Sequence, residues 1–107
     1  MKMTLTVQST GHNSYRFGIN LSNSKEYFKV RHRKVNVYLD NIFSDPQTTC
    51  GSEKKGFDLY SLKISNWIIS KKFNDYYKGK PTKLEFEFEH NGELSLTFIR
   101  EIIRTSK

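Results

Sequence analysis

Asp40 and Asp45 precede Glu53-Lys54-Lys55, and an acid followed by Glu-x-Lys is the set with which one class of nuclease holds a divalent metal beside a phosphate. That chemistry needs the Glu and Lys on a strand. Here Glu53 stands in a polar run, "DPQTTCGSEKKGF" at 45–57, with Gly51 and Gly56 on either side, so the pattern is formal only. His12, His32 and His90 share no metal-ligand spacing with one another or with Cys50, and no metal or other cofactor is expected. "RHR" at 31–33 could serve metal-free cleavage of RNA, in which a His works beside Arg or Lys. A basic triplet entering a strand more often faces phosphate or water. Cys50 has no visible His partner as a nucleophile. Catalysis is therefore the secondary reading.

Binding chemistry is better supplied. A protein that reads a duplex needs Lys and Arg for phosphates, and Asn, Gln, Arg, Ser or Thr on protruding elements for base edges. "STGHNS" at 9–14 offers His12 and Asn13, with Arg16 just beyond, while "QTTCGSEKK" at 47–55 offers Gln47, Thr48, Thr49, Ser52, Lys54 and Lys55. Between them Lys25, Lys29, Arg31, Arg33 and Lys34 form a basic stretch. The net charge is +7, and residues 1–84 carry fifteen Lys and Arg against six Asp and Glu, whereas 85–107 carry three against five. Such a balance favours a polyanionic partner.

The elements that must hold these residues follow from hydrophobic period. "TLTVQ" alternates as a strand, and "YRFGINL" puts Tyr15, Phe17, Ile19 and Leu21 on one face. "SNSKEYF" reads as a short helix capped by Ser22 or Ser24. "KVRHRKVNVYL" runs into a strand marked by Val30, Val35, Val37 and Leu39, and "FDLYSL" is a short strand after the polar run. A helix starts near Ser61 or Ser65. From Ser65 as cap, Ile69, Phe73, Tyr76 and Tyr77 share one face, Lys71, Lys72 and Lys78 fall in its later turns, and "KGKP" ends it. "KLEFEFEHNGELSLTFI" is a hairpin, with Leu84, Phe86 and Phe88 inward, a two-residue Asn91-Gly92 turn, and Leu94, Leu96 and Phe98 returning. At 107 residues this makes one domain, 1–107. One cysteine excludes an internal disulfide and fits a reducing cytoplasm; no stretch approaches a membrane span and none resembles a signal peptide.

This order of parts resembles the DNA-binding pseudobarrel of plant B-three transcription factor domains, found also as the recognition domain of some restriction endonucleases. "NWIISKKF" followed by "KLEFEF" is similar to that family's Trp-centred helix and next strand, although "KGKPTK" and "INLSNS" depart from its usual turns. The resemblance implies a mainly β (α+β) fold: an open pseudobarrel of about seven strands with two helices. It also implies two loops gripping the major groove of double-stranded DNA, with His12, Asn13 and Arg16 from one and Gln47, Thr48, Thr49 and Ser52 from the other. Lys25, Lys29, Arg31, Arg33, Lys34, Lys54 and Lys55 would then hold the backbone. The alternatives from the residues themselves are a small basic metal-independent ribonuclease or toxin, and an inhibitor whose partner is an acidic protein surface.

Overall fold

The computed structural model describes residues 1–30, 32–49 and 56–103. Its strands are β1 (Lys2–Gly11), β2 (Ser14–Gly18), β3 (Val35–Leu39), β4 (Ile42–Ser44), β5 (Thr48–Thr49), β6 (Asp58–Leu59), β7 (Lys83–His90) and β8 (Leu94–Ile103). The helices are α1 (Leu21–Asn23), which runs on through a π-helical turn at Ser24–Phe28, and α2 (Leu62–Ser70). All eight strands belong to one sheet in the order β4-β3-β8-β7-β1-β2-β6-β5, antiparallel except for β3 against β8. The fold is mainly β and the sheet is curled.

The curl has a specific origin. The two outermost strands, β4 and β5, are consecutive pieces of one segment, 42–49. β4 pairs with β3 from Leu39↔Ile42 to Val37↔Ser44, and the same register continues through the Lys34↔Gln47 bridge and the bonds Val35 N–H to Pro46 O (2.9 Å) and Thr48 N–H to Arg33 O (2.9 Å). β5 meanwhile pairs with β6. The sheet thus returns on itself through that segment, and eight strands are found where about seven are expected.

Inside the curl, Leu5, Val7, Phe17, Val35, Val37, Leu39, Leu59, Leu84, Phe86, Leu94 and Leu96 are buried, each at the inward parity of its strand. Phe17 is central, edge-on to Phe86 at 5.2 Å and to Trp67 at 6.1 Å, and Trp67 meets Phe98 at 4.9 Å and Phe73 at 5.4 Å. α2 covers this cluster with Ile64, Trp67 and Ile68.

Several local expectations are corrected. Ser61, not Ser65, caps α2, accepting from Ile64 N–H at 3.1 Å, and Ser65 is buried in the helix, where its Oγ accepts from Tyr15 N–H at 3.0 Å. The buried face shifts accordingly, leaving Ile69 and Tyr77 exposed. The helix ends at Ser70 because Lys72 adopts a left-handed backbone (φ 61°), so Lys78 lies well beyond its last turn. Asn20 caps α1, accepting from Asn23 N–H at 2.8 Å. Val30 is exposed. The closing hairpin pairs His90 with Leu94, so its loop has three residues rather than two, with Gly92 at φ 85°.

Candidate nucleic-acid interface

The first polar loop and the described start of the second, residues 47–49, lie at different levels of the sheet. β2, β6 and β5 are successive antiparallel neighbours, with Phe17 level with Leu59 and Thr48, and Gly18 level with Asp58 and Thr49. From that level the His12-Asn13 turn lies beyond the Ser14 end of β2, on the order of 15 Å away at ~3.3 Å per residue. β5 runs parallel to β2, so at Thr49 the described chain is heading away from that turn. Where the chain is next described, Gly56 lies against α1, so close that a Cβ there would meet Ile19 O at 2.3 Å, and Ile19 N–H bonds Phe57 O at 2.8 Å. Residues 50–55, which would form most of the second jaw, lie outside the described residues.

What the fold does bring together is the basic stretch and the strand leading into the second loop. Thr48 is the hinge of this end. It is fully buried, not presented to a groove; its hydroxyl donates to Val30 O (3.0 Å) and accepts from Arg33 N–H (2.9 Å), and its carbonyl accepts from His32 N–H (2.7 Å). These bonds hold the chain between 29 and 33 in a tight bend in which Lys29 (φ 69°) and His32 (φ 64°) both take left-handed conformations. Two such non-glycine residues so close together store strain of about 1–3 kcal/mol each, which persists only where surrounding contacts enforce it. The bend turns Lys29, Val30 and His32 out to solvent, beside exposed Lys25.

The remaining candidates at this end differ in freedom. The Arg33 guanidinium donates to Phe28 O at 3.4 Å, and Lys34 pairs with Asp45 at 3.6 Å, both of them exposed. Gln47 is exposed, and so is Thr49, whose hydroxyl reaches Asp58 O at 3.4 Å. Lys25 and Lys29 form no ion pair among the described residues. Arg31, Cys50, Ser52, Glu53, Lys54 and Lys55 lie outside the described residues. Thr48→Val keeps the shape and removes both hydroxyl bonds, so it is expected to cost about 1–3 kcal/mol in urea unfolding, with Thr48→Ser restoring most of it. Equal stability of Val and Thr at this position would refute the hinge.

At the other end His12 (φ 52°) and Asn13 (φ 58°) form an exposed two-residue turn closed by the Gly11↔Ser14 pair. His12 thus stands at the β1–β2 turn, and His32 at the bend held by Thr48. Arg16 lies midway and is engaged: its Nε donates to Gln8 Oε1 at 3.1 Å and its Nη2 lies 3.4 Å from Asp58. Burial pushes the Asp58 carboxyl up from its ordinary range, while Arg16 pulls it back. Among the described residues no three His, Cys, Asp or Glu side chains converge as a metal would require, and no helix is long and apolar enough to cross a membrane.

Asp40 fastens the β3–β4 turn to α2. It accepts from Trp67 Nε1 at 2.9 Å and pairs with Lys71 at 3.0 Å, and the indole bond first, then Lys71, hold its carboxyl below the usual value. Its contribution to stability is complete above the unfolded carboxylate value of about 3.9 and is lost as pH falls through the lower folded one. Asp58 acts with the opposite sign, since the fold binds its proton more tightly than the unfolded chain does. Asp40→Asn retains an acceptor for Trp67 and removes the charge. It is expected to lower stability at neutral pH by on the order of 0.5 kcal/mol, because water screens the half-exposed pair. The deficit should shrink as pH falls through the lowered folded value and vanish once the carboxyl is protonated in both states, and urea titrations at neutral and at acid pH would show whether it does.

Sequence reasoning missed the burial of Thr48 and the close approach at Gly56; the only signal for either was a β-branched residue and a glycine flanking a polar run. Compared with family models, curated proteins and solved structures, the chain matches none.

Proposed function

We propose that the chain is a non-catalytic double-stranded DNA-binding domain, the recognition part of a cytoplasmic restriction or regulatory system, and that it meets DNA through the end built around Thr48. The observation that carries this reading is the enforced bend at 29–33, which turns cations outward next to the strand from which the polar 50–55 segment departs. Lys25, Lys29, Arg33 and Lys34 contact phosphates. Gln47 and Thr49 begin the base-reading surface, and Ser52, Lys54 and Lys55 extend it in sequence. The acidic outer positions of β7, Glu85 and Glu87, lie part-buried, and Glu85 is neutralised by Lys2 at 3.9 Å and Arg100 at 3.2 Å, which lessens their repulsion of a polyanion. The curled sheet with two helices is compatible with the B-three resemblance; in this reading His12 and Asn13, at the β1–β2 turn, stand outside the contact.

The test is fluorescence anisotropy with duplex, single-stranded and RNA oligonucleotides at two salt concentrations, followed by gel analysis of the same strands. Binding that prefers duplex and weakens with salt at a slope of roughly −4, one counterion per contacting cation, supports the reading. Absence of binding at low salt refutes it, and cleavage of any strand refutes the non-catalytic part.

A further inference from the structure

β7 begins at Lys83, opposite Thr6, so β1 continues past it to Gly11 with β2 on one side only. The last bond on its other side runs from Val7 N–H to Thr82 O at 3.0 Å. In an antiparallel strand the N–H and C=O of one residue point the same way and neighbours alternate. The carbonyl of Val7 and both backbone groups of Ser9 therefore face away from β2. Across from them the chain between α2 and β7 bends back, leaving an open cleft of about 540 Å³ whose lining includes Ser9, Tyr15, Asn74, Tyr76 and Lys78. Tyr15 and Tyr76 also pack against the core, which fixes their rings. The Tyr76 hydroxyl reaches Val7 O only at 3.5 Å, the outer limit of a hydrogen bond.

We propose that this cleft binds a nucleotide. Tyr15 and Tyr76 line the cleft, and stacking of a base on an aromatic side chain is tolerant of base identity. The Ser9 peptide and the Asn74 amide each provide a donor and an acceptor for a base edge, and exposed Lys78 at the rim provides the charge for a phosphate. The volume is within the range of about 300–1,000 Å³ usual for small-ligand sites. A free mononucleotide and the unpaired terminal nucleotide of a strand present the same chemistry. β2 and β6 stand between β1 and β5 in the sheet, so the site stands independently of the duplex contact proposed above.

The experiment is a ¹H–¹⁵N NMR titration of the whole chain with adenosine 5′-monophosphate, adenosine, and a blunt hairpin duplex with or without a one-nucleotide overhang. The monophosphate or the overhang is expected to shift the amides of Ser9, Asn74 and Gly79. Shifts with the monophosphate identify a free nucleotide as sufficient, whereas shifts with the overhang alone identify a strand end. Lys78→Gln, at an exposed position, should weaken the monophosphate about fivefold, as befits a screened surface charge, and leave adenosine unchanged. No shift at these amides with any of the ligands, or equal weakening of adenosine and its monophosphate by Lys78→Gln, would overturn the proposal.

Discussion

Replacing Lys25 and Lys29 together by Glu is expected to reduce duplex affinity by roughly a hundredfold at low salt and to flatten the salt slope by about two. Both side chains are exposed and neither forms an ion pair among the described residues, so the melting temperature should stay close to that of the parent. The contrast matters. A double variant that binds as the parent does would remove the basic end from the interface, while a weakened variant that is also unfolded would say nothing about charge, and circular dichroism separates the two. Lys78→Gln, tested on the blunt duplex, is the internal control, since the proposed duplex contact does not include it.

The largest effect on stability is expected from Phe17→Ala, at about 3–5 kcal/mol. Phe17 is fully buried and its ring is edge-on to both Phe86 and Trp67, so it joins the β2 wall of the curl to β7 and to α2 at once. Its removal leaves a cavity bounded by three elements that are each held in place by other bonds, among them Ser65 Oγ to Tyr15 N–H and Asp40 to Trp67. They cannot collapse inward far enough to fill it. Against a total of about 5–15 kcal/mol for a domain, the variant should lose a large part of its urea resistance, whereas Phe17→Leu should lose much less. A loss below about 1 kcal/mol for Phe17→Ala would mean that the centre of the core lies elsewhere.

Alternation made most of the sheet legible. Leu84, Phe86 and Phe88 are buried on β7 and Leu94 and Leu96 on β8 because one face of each strand meets the core and the other meets water. The helix was harder. "SLKISNW" offers two serines four residues apart, each a competent cap, and the choice between them rotates the buried face; the pairing of Ser65 with Tyr15 decides it through a contact distant in sequence. Thr48 shows the same limit at the site. A threonine in a polar run reads as exposed, and its burial becomes favourable only because Val30 O and Arg33 N–H satisfy its hydroxyl. Most of all, the relative position of the two polar loops depends on which strand neighbours which. Composition and period carry no record of that.

The parallel contact of β3 with β8, where Val35 meets Leu94 and Tyr38 meets Thr97, has a kinetic consequence. The β1–β2 and β7–β8 ribbons join near neighbours in the chain and can zip early, but the β3–β8 seam, like the β1–β7 pairing, unites segments far apart in the chain. Its loop-closure entropy must be met before its own bonds contribute. With the β1–β7 pairing, the seam is therefore among the contacts expected to form after the hairpins. Until it forms, β8 presents a long, apolar, open edge to other half-finished chains, so the hazard for this protein lies in the interval between hairpins and closure rather than in the finished sheet.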